Sequence, residues 1–249
     1  MSTWSIASLN PVQRKIVEHK TGPALVIAGA GSGKTRVITH RVAQLIHSGI
    51  PASSILLLTF TNKAANEMAQ RVGRALKNST EQQKIIHGTF HSVGSRFLRR
   101  NAKLLNYNNN FSILDSSDSR DLIKASLAET VGKPGKYFPK AAVLQNMFSL
   151  AFNRFCTQKM ILDQPYHERS FHLEQLISAD FPNFEENTET ILNILAAYRH
   201  KKKRGQVMDF DDLLENWLEL LLRHGEGLPL CRQIQYILVD EYQDTNQVQ

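Results

Sequence analysis

The sequence predicts an α/β fold: a parallel sheet flanked by helices, with a mostly helical segment inserted into it. Three observations carry this expectation. A short apolar run opens into a glycine-rich loop and then a helix over Ala24 to Val37. Two further apolar runs each end in a polar turn that starts a helix, the alternation that builds parallel sheets. A last apolar run, Tyr236 to Val239, delivers two carboxylates at its end.

The first of these is a phosphate-binding loop. Ala24-Leu25-Val26-Ile27-Ala28 suits a buried strand. Gly29, Gly31 and Gly33 free the backbone to turn with its N–H groups inward. Lys34 and Thr35 then open a helix whose unpaired N–H groups and dipole favour an anion. The usual spacing begins with glycine where Ala28 stands, but the cradle Gly29-Ala30-Gly31-Ser32-Gly33-Lys34-Thr35 is intact. An ordinary glycine-rich turn gives no reason for the Lys-Thr pair.

Length and composition bound the rest. The 249 residues, 42% hydrophobic, suffice for one large domain or two small ones. No apolar run approaches the roughly 20 residues that span a bilayer, and the N-terminus lacks a secretory layout, so a cytoplasmic protein without membrane contact is expected. Cys156 and Cys231 have no close partner and no histidine cluster, which predicts packed thiols rather than a disulfide or zinc site. Net charge is +7, unevenly spread. Residues 1–104 carry fifteen Lys and Arg against three acids, a net +12, and residues 105–249 carry fifteen against twenty, a net −5. The asymmetry suggests that the first part faces a polyanion, against the plainer possibility of a basic solvated surface.

Taken in order, Asn10-Pro11-Val12-Gln13 starts a helix: Asn10 caps, Pro11 suits the first turn, and Gln13 falls at the capping-box position. A glutamine amide both donates and accepts, so Gln13 equally suits the edge of an adenine; spacing alone leaves the two readings open. Lys34 to His47 is an amphipathic helix. Ile55 to Phe60 is a wholly apolar strand, as expected where helices cover both sheet faces. It ends in Thr61-Asn62-Lys63, where Phe60 either stacks on a base, with Asn62 and Lys63 on phosphates, or caps the core. Ile85 to Phe90 repeats that layout and runs into His91-Ser92, which makes Thr89, Phe90 and His91 candidate nucleic-acid contacts.

From Leu104 to about Lys203 the pattern turns to short helices broken at Asn106–Asn110 and Gly132-Lys133-Pro134-Gly135. Arg199-His200-Lys201-Lys202-Lys203-Arg204 is a basic helix end, suited to phosphates or simply to the helix dipole. Asp209-Phe210-Asp211-Asp212 caps a helix through Leu222. At the final strand end, Asp240 is placed to hold Mg²⁺ with the Thr35 hydroxyl, and Glu241 to deprotonate an attacking water.

The motifs LNPVQ, AGAGSGKT, TFTNKAANEM, GTFHS, DFDDL and VDEYQD, in this order, resemble the UvrD/Rep/PcrA family of superfamily 1 DNA helicases. The resemblance implies a RecA-like ATP-binding domain from residues 1–89 and 207–249, with residues 90–206 as a helical inserted subdomain. It implies that Gln13 reads adenine, that Ala28 to Thr35 hold the phosphates, and that Arg36 lies near the nucleotide. Asp240 would coordinate Mg²⁺, Glu241 would be the base, Lys34 would serve catalysis, and Gln243 would sense the γ-phosphate. Phe60, Thr61, Asn62, Lys63, Thr89, Phe90 and His91 would line a single-stranded DNA path. The expected activity is 3′-to-5′ movement on DNA driven by ATP, in repair or replication, at single strands and duplex junctions. The family's second RecA-like domain and cross-cleft arginines have no counterpart before Gln249, so a piece of a longer protein is expected. A helicase-nuclease subunit and a non-catalytic DNA-binding ATP switch are the alternatives.

Overall fold

The computed structural model describes residues 6–76 and 84–249. Their contacts separate them into two compact units, residues up to 93 with 226–245, and residues 94–225 with 246–249.

The first unit is built on a three-stranded parallel sheet: β1 (Ile55–Thr59) in the centre, β2 (Ile86–Thr89) on one side and the last strand (Tyr236–Val239) on the other. Leu56 lies opposite Ile86 on one edge and opposite Ile237 on the other. All five β1 residues are buried, because helices cover the sheet as the unbroken apolar run predicts. Helices α1 (Pro11–Glu18), α2 (Lys34–His47) and α3 (Asn62–Leu76) supply the cover. The main core joins Val42 and Leu45 of α2 to Ile55 and Leu57 of β1 and to Met68 and Val72 of α3. At about 1.5–3 kcal/mol for each large apolar side chain buried, this contact fixes α2, and with it the phosphate loop, against the sheet.

One expected strand is absent. Ala24 to Ala28 joins neither sheet, and Leu25, Val26 and Ile27 are 70%, 41% and 91% exposed. An apolar run becomes a strand only where a ladder partner is available. Both edges of β1 are taken, by β2 and by Tyr236–Val239, and the run pairs with neither of those strands.

The second unit is helical. Its helices after the sheet are α4 (Phe90–Asn101, which starts in the first unit), α5 (Ser116–Val131), α6 (Ala141–Phe155), α7 (Gln158–Asp163), α8 (Leu173–Asp180), α9 (Thr188–Gly205) and α10 (Phe210–His224). A two-residue parallel ladder pairs Ser112–Ile113 with Val207–Met208. The break at Gly132 to Gly135 is the loop between α5 and α6, as expected. Helix α10 groups with the helical unit. The reason lies in its inner face, where Leu213, Leu214, Glu215, Trp217 and Leu220 are all buried. Gly94 of α4 lies so close to that face that a Cβ there would meet the Trp217 ring at 2.8 Å. Among the described residues, no helix is long and apolar enough to cross a membrane.

Candidate nucleotide site and nucleic-acid interface

The phosphate loop keeps the shape its glycines predict, even without a strand before it. Gly31 (φ +75°) and Gly33 (φ +88°) occupy the left-handed region, where any other residue is strained. Ser32 Oγ donates to the Gly29 carbonyl at 2.7 Å and closes the turn. Gly33 caps α2 through its backbone alone, so the first-turn N–H groups face outward without a side-chain acceptor. Gly29, Ala30, Gly31 and Ser32 are exposed and Ala28, Lys34 and Thr35 half-buried.

Lys34 turns back into this loop. Its ammonium donates to the Ala28 carbonyl at 3.3 Å and stands 3.9 Å from the Glu241 carboxylate. The acids arrive from the sheet: the Asp240 N–H donates to the Leu58 carbonyl at 2.9 Å, which extends the ladder one residue past Val239 and sets Asp240 at its carboxyl end. Glu241 follows at φ +52°, a conformation costly for a residue with a side chain and typical of sites where geometry serves chemistry. Gln243 Nε2 donates to Glu241 Oε2 at 2.5 Å. Burial raises the Asp240 carboxyl above the usual carboxylate range, and the Glu241 charge adds to this, while the Glu241 N–H and Lys34 pull it back. Two neighbouring carboxylates, one of them reluctant to ionise, are hard oxygen donors of the kind that suit Mg²⁺.

Gln13 is engaged as the helix cap. Its Oε1 accepts from the Asn10 N–H at 3.2 Å, and Asn10 Oδ1 accepts from the Gln13 N–H at 2.8 Å. The remaining donor, Nε2, reaches the Ser32 carbonyl at 3.0 Å and so ties α1 to the phosphate loop. Arg36 points the other way, with Nη2 on the Ser8 hydroxyl at 2.8 Å and on the Ser8 carbonyl at 3.1 Å. That partner had no signal in the sequence. Arg41 had one, a cation on the apolar face of α2: it donates to the Val17 carbonyl at 2.8 Å and lies 5.8 Å over the Tyr236 ring.

The two strand ends that look alike in sequence are unlike in space. Phe60 is 60% exposed, with Asn62 and Lys63 exposed beside it. Thr61 spends its hydroxyl on the Ala64 N–H at 3.1 Å and begins α3. At the second end, Phe90 is only 9% exposed and packs in the core. Thr89 and Ser92 exchange backbone-to-hydroxyl bonds at 3.1 and 2.9 Å, a reciprocal helix cap. His91 is half-buried, and burial lowers its pKa, which disfavours the charged imidazolium.

Residues 9–249 match the family model described as the UvrD/REP helicase N-terminal domain. The chain belongs to that family. Among its relatives are proteins named ATP-dependent DNA helicase PcrA, 37% identical over all of this chain in Bacillus subtilis strain 168, 35% over 97% of it in Leuconostoc citreum, and 34% over 98% of it in Staphylococcus epidermidis. The chain spans 30–31% of the length of these relatives.

The basic end of α9 does not present the phosphate cluster its sequence suggests. Arg199 and Lys202 are buried. Arg199 bonds Glu215 at 2.5 Å, Arg169 bonds the same carboxylate at 2.8 Å, and Lys202 bonds Asp209 at 2.6 Å and Asp212 at 2.7 Å. Burial opposes the Arg199 and Lys202 charges, yet the surrounding carboxylates hold both pKa values above their ordinary levels. Lys203 lies 3.5 Å over the Tyr107 ring, and burial lowers its pKa to about 8. Lys201 pairs with Glu129. These cations hold this helical UvrD/REP unit together.

Proposed function

We propose that this chain is the nucleotide-binding N-terminal part of an ATP-dependent DNA helicase or translocase that moves 3′ to 5′ on single-stranded DNA in the cytoplasm, at strand–duplex junctions, in repair or replication. The observation that carries the reading is the meeting of the Lys34 ammonium with the Glu241 carboxylate at 3.9 Å, where the phosphate loop faces the acidic strand end. The loop N–H groups from Gly29 to Thr35 would receive the phosphates, and Lys34 would leave Glu241 for the phosphate charge. Released from Lys34, Glu241 would accept the proton of the attacking water, with Gln243 holding the carboxylate in place. Thr35 and Asp240 would hold Mg²⁺, which when bound neutralises charge on the phosphate oxygens. Gln13 would read the adenine edge once its amide leaves the Ser32 carbonyl, and Arg36 would act beside the nucleotide. Phe60 would stack on a base, with Thr61, Asn62, Lys63, Thr89 and His91 nearby along the strand. A RecA-like domain from a longer chain would complete the cleft, residues 1–89 and 207–249 forming the first such domain around an inserted helical subdomain.

Titration with a fluorescent ATP analogue and Mg²⁺ tests the site. The parent and Glu241→Gln bind, and Lys34→Ala binds much more weakly. Equal affinity of Lys34→Ala and the parent overturns the reading. Anisotropy with a labelled single-stranded oligonucleotide tests the interface: Phe60→Ala, its side chain exposed and not needed for the core, weakens binding by about 1–3 kcal/mol. Parental affinity in that variant removes Phe60 from the strand path.

A further inference from the structure

Arg41 is a cation that neither the phosphate loop nor the strand ends use. It lies at helical spacing from Val37, Ile38 and Leu45 of α2, all buried or half-buried. Its two contacts belong to different cores of the first unit. Nη1 donates to the Val17 carbonyl at 2.8 Å, and Val17 packs with Leu9 and Val37 beneath α1. The guanidinium lies 5.8 Å over the ring of Tyr236, which packs on the main core and opens the strand that leads to Asp240. Burial lowers the Arg41 pKa and Tyr236 raises it; among the described residues no carboxylate offsets the cost of burying this charge. A cation without an acid is a poor way to fill an apolar face, so stability of the fold does not account for it.

Geometry does. Helix α1 has eight residues, fewer than the roughly 12–15 at which an isolated helix becomes even marginally stable, so its ties to the rest of the unit hold it. On its N-terminal side, Gln13 Nε2 bonds the Ser32 carbonyl, and Arg36 bonds Ser8 just ahead of the helix. At the other end, the Val17 carbonyl is one of the last four, which have no partner inside a helix. Arg41 supplies that partner and sets a positive charge at the negative end of the dipole. Gln13 and Val17 are four residues apart and so share a face, about 6 Å apart along the axis. Releasing the Val17 end frees α1 to turn about its N-terminal ties, and the direction of the Gln13 amide turns with it.

We propose that Arg41 is a positioning residue for the nucleobase: by holding the C-terminal end of α1 it aims the Gln13 amide at the adenine edge. The inference rests on the reading of Gln13 above and adds the residue that orients it. Arg41 takes no part in holding the phosphates.

Calorimetric titration of the whole chain with Mg²⁺–ATP and with Mg²⁺–tripolyphosphate, which carries phosphates without a base, tests this. Arg41→Met keeps an apolar stem and removes the donor. It is expected to unfold at the parental urea midpoint, to bind tripolyphosphate like the parent, and to bind ATP about 2- to 10-fold more weakly, the range of one lost hydrogen bond. Gln13→Ala is expected to weaken ATP binding by a similar factor, and the double variant no further, because one residue acts through the other. Arg41→Gln, shorter and polar, carries the same expectations should Arg41→Met not fold. Equal weakening toward both ligands, or loss of folding in both variants, overturns the positioning role and makes Arg41 a residue of the fold. Losses that multiply in the double variant overturn its action through Gln13. Parental ATP affinity in Arg41→Met, with Gln13→Ala weakened, overturns the inference and leaves the Gln13 reading standing. A parent that binds ATP no better than tripolyphosphate overturns both.

Discussion

Two assemblies in this chain use the same side chains for opposite ends. At the phosphate loop, Lys34 faces Glu241 across 3.9 Å, with about a third of each side chain or more open to water. In the helical unit, Arg169, Arg199 and Lys202 meet Glu215, Asp209 and Asp212 at 2.5–2.8 Å, almost wholly buried, and each of these cations has more than one partner. An exposed pair of the first kind is worth about 0–1 kcal/mol, so it does not hold the fold and is free to exchange partners. A buried network of the second kind has paid its desolvation already, and removing one member strands the others. The loop pair stays reachable and loosely matched, as the proposed ligand role requires; the charges of the helical unit are saturated.

The largest effect that would break this contrast concerns Glu215, which two arginines share. Glu215→Ala leaves Arg169 and Arg199 buried without their common acceptor and is expected to cost about 3–5 kcal/mol in urea unfolding. A loss below about 1 kcal/mol would mean that the network is ornamental to stability. A smaller effect, of opposite sign, is expected next to it. Burial, and then the Asp209 charge, raise the Asp211 carboxyl from its ordinary 3.8 to about 6. The folded state thus holds this proton more tightly than the unfolded chain. The resulting stabilisation is complete below about 3.8, fades as pH rises through 6, and is gone at 7. Asp211→Asn keeps an acceptor for its neighbours and needs no proton, so at pH 7 it should be more stable than the parent by about 1–3 kcal/mol. The gain should vanish near pH 4. A gain that persists at pH 4 would assign the effect to something other than ionisation.

What the sequence could reveal followed the same division. The helix Lys34–His47, the capping boxes at Asn10 and Asp209 and the strand Tyr236–Val239 rest on local chemistry, and they lie where the residues place them. The phosphate loop is likewise local, since left-handed glycines and a following Lys-Thr are written in consecutive residues. The run Ala24–Ala28 was not legible, because a strand is a property of its partner and apolar composition alone does not supply one. Phe60 and Phe90 share a local pattern, threonine before and a helix after, and only packing separates the exposed ring from the buried one. The basic end of α9 misleads for the same reason: its acids come from Asp209, Asp212 and Glu215 in the next helix and its Tyr107 from far upstream, and no count of lysines shows them.

The smallest expected effect sharpens the contrast most directly. If Lys34 is a ligand-facing cation, Lys34→Ala should unfold within about 1 kcal/mol of the parent, the range of an exposed pair, despite removing a charge from beside two carboxylates. Its removal also takes away a cation that favours the ionised Asp240, so any shift in stability should be largest above the pKa of that acid and absent where it is protonated. Urea melts at pH 4 and pH 8 measure both terms. A loss of several kcal/mol at pH 8 would place Lys34 among the saturated, fold-building cations, and the loose 3.9 Å contact with Glu241 would then be a poor guide to its role.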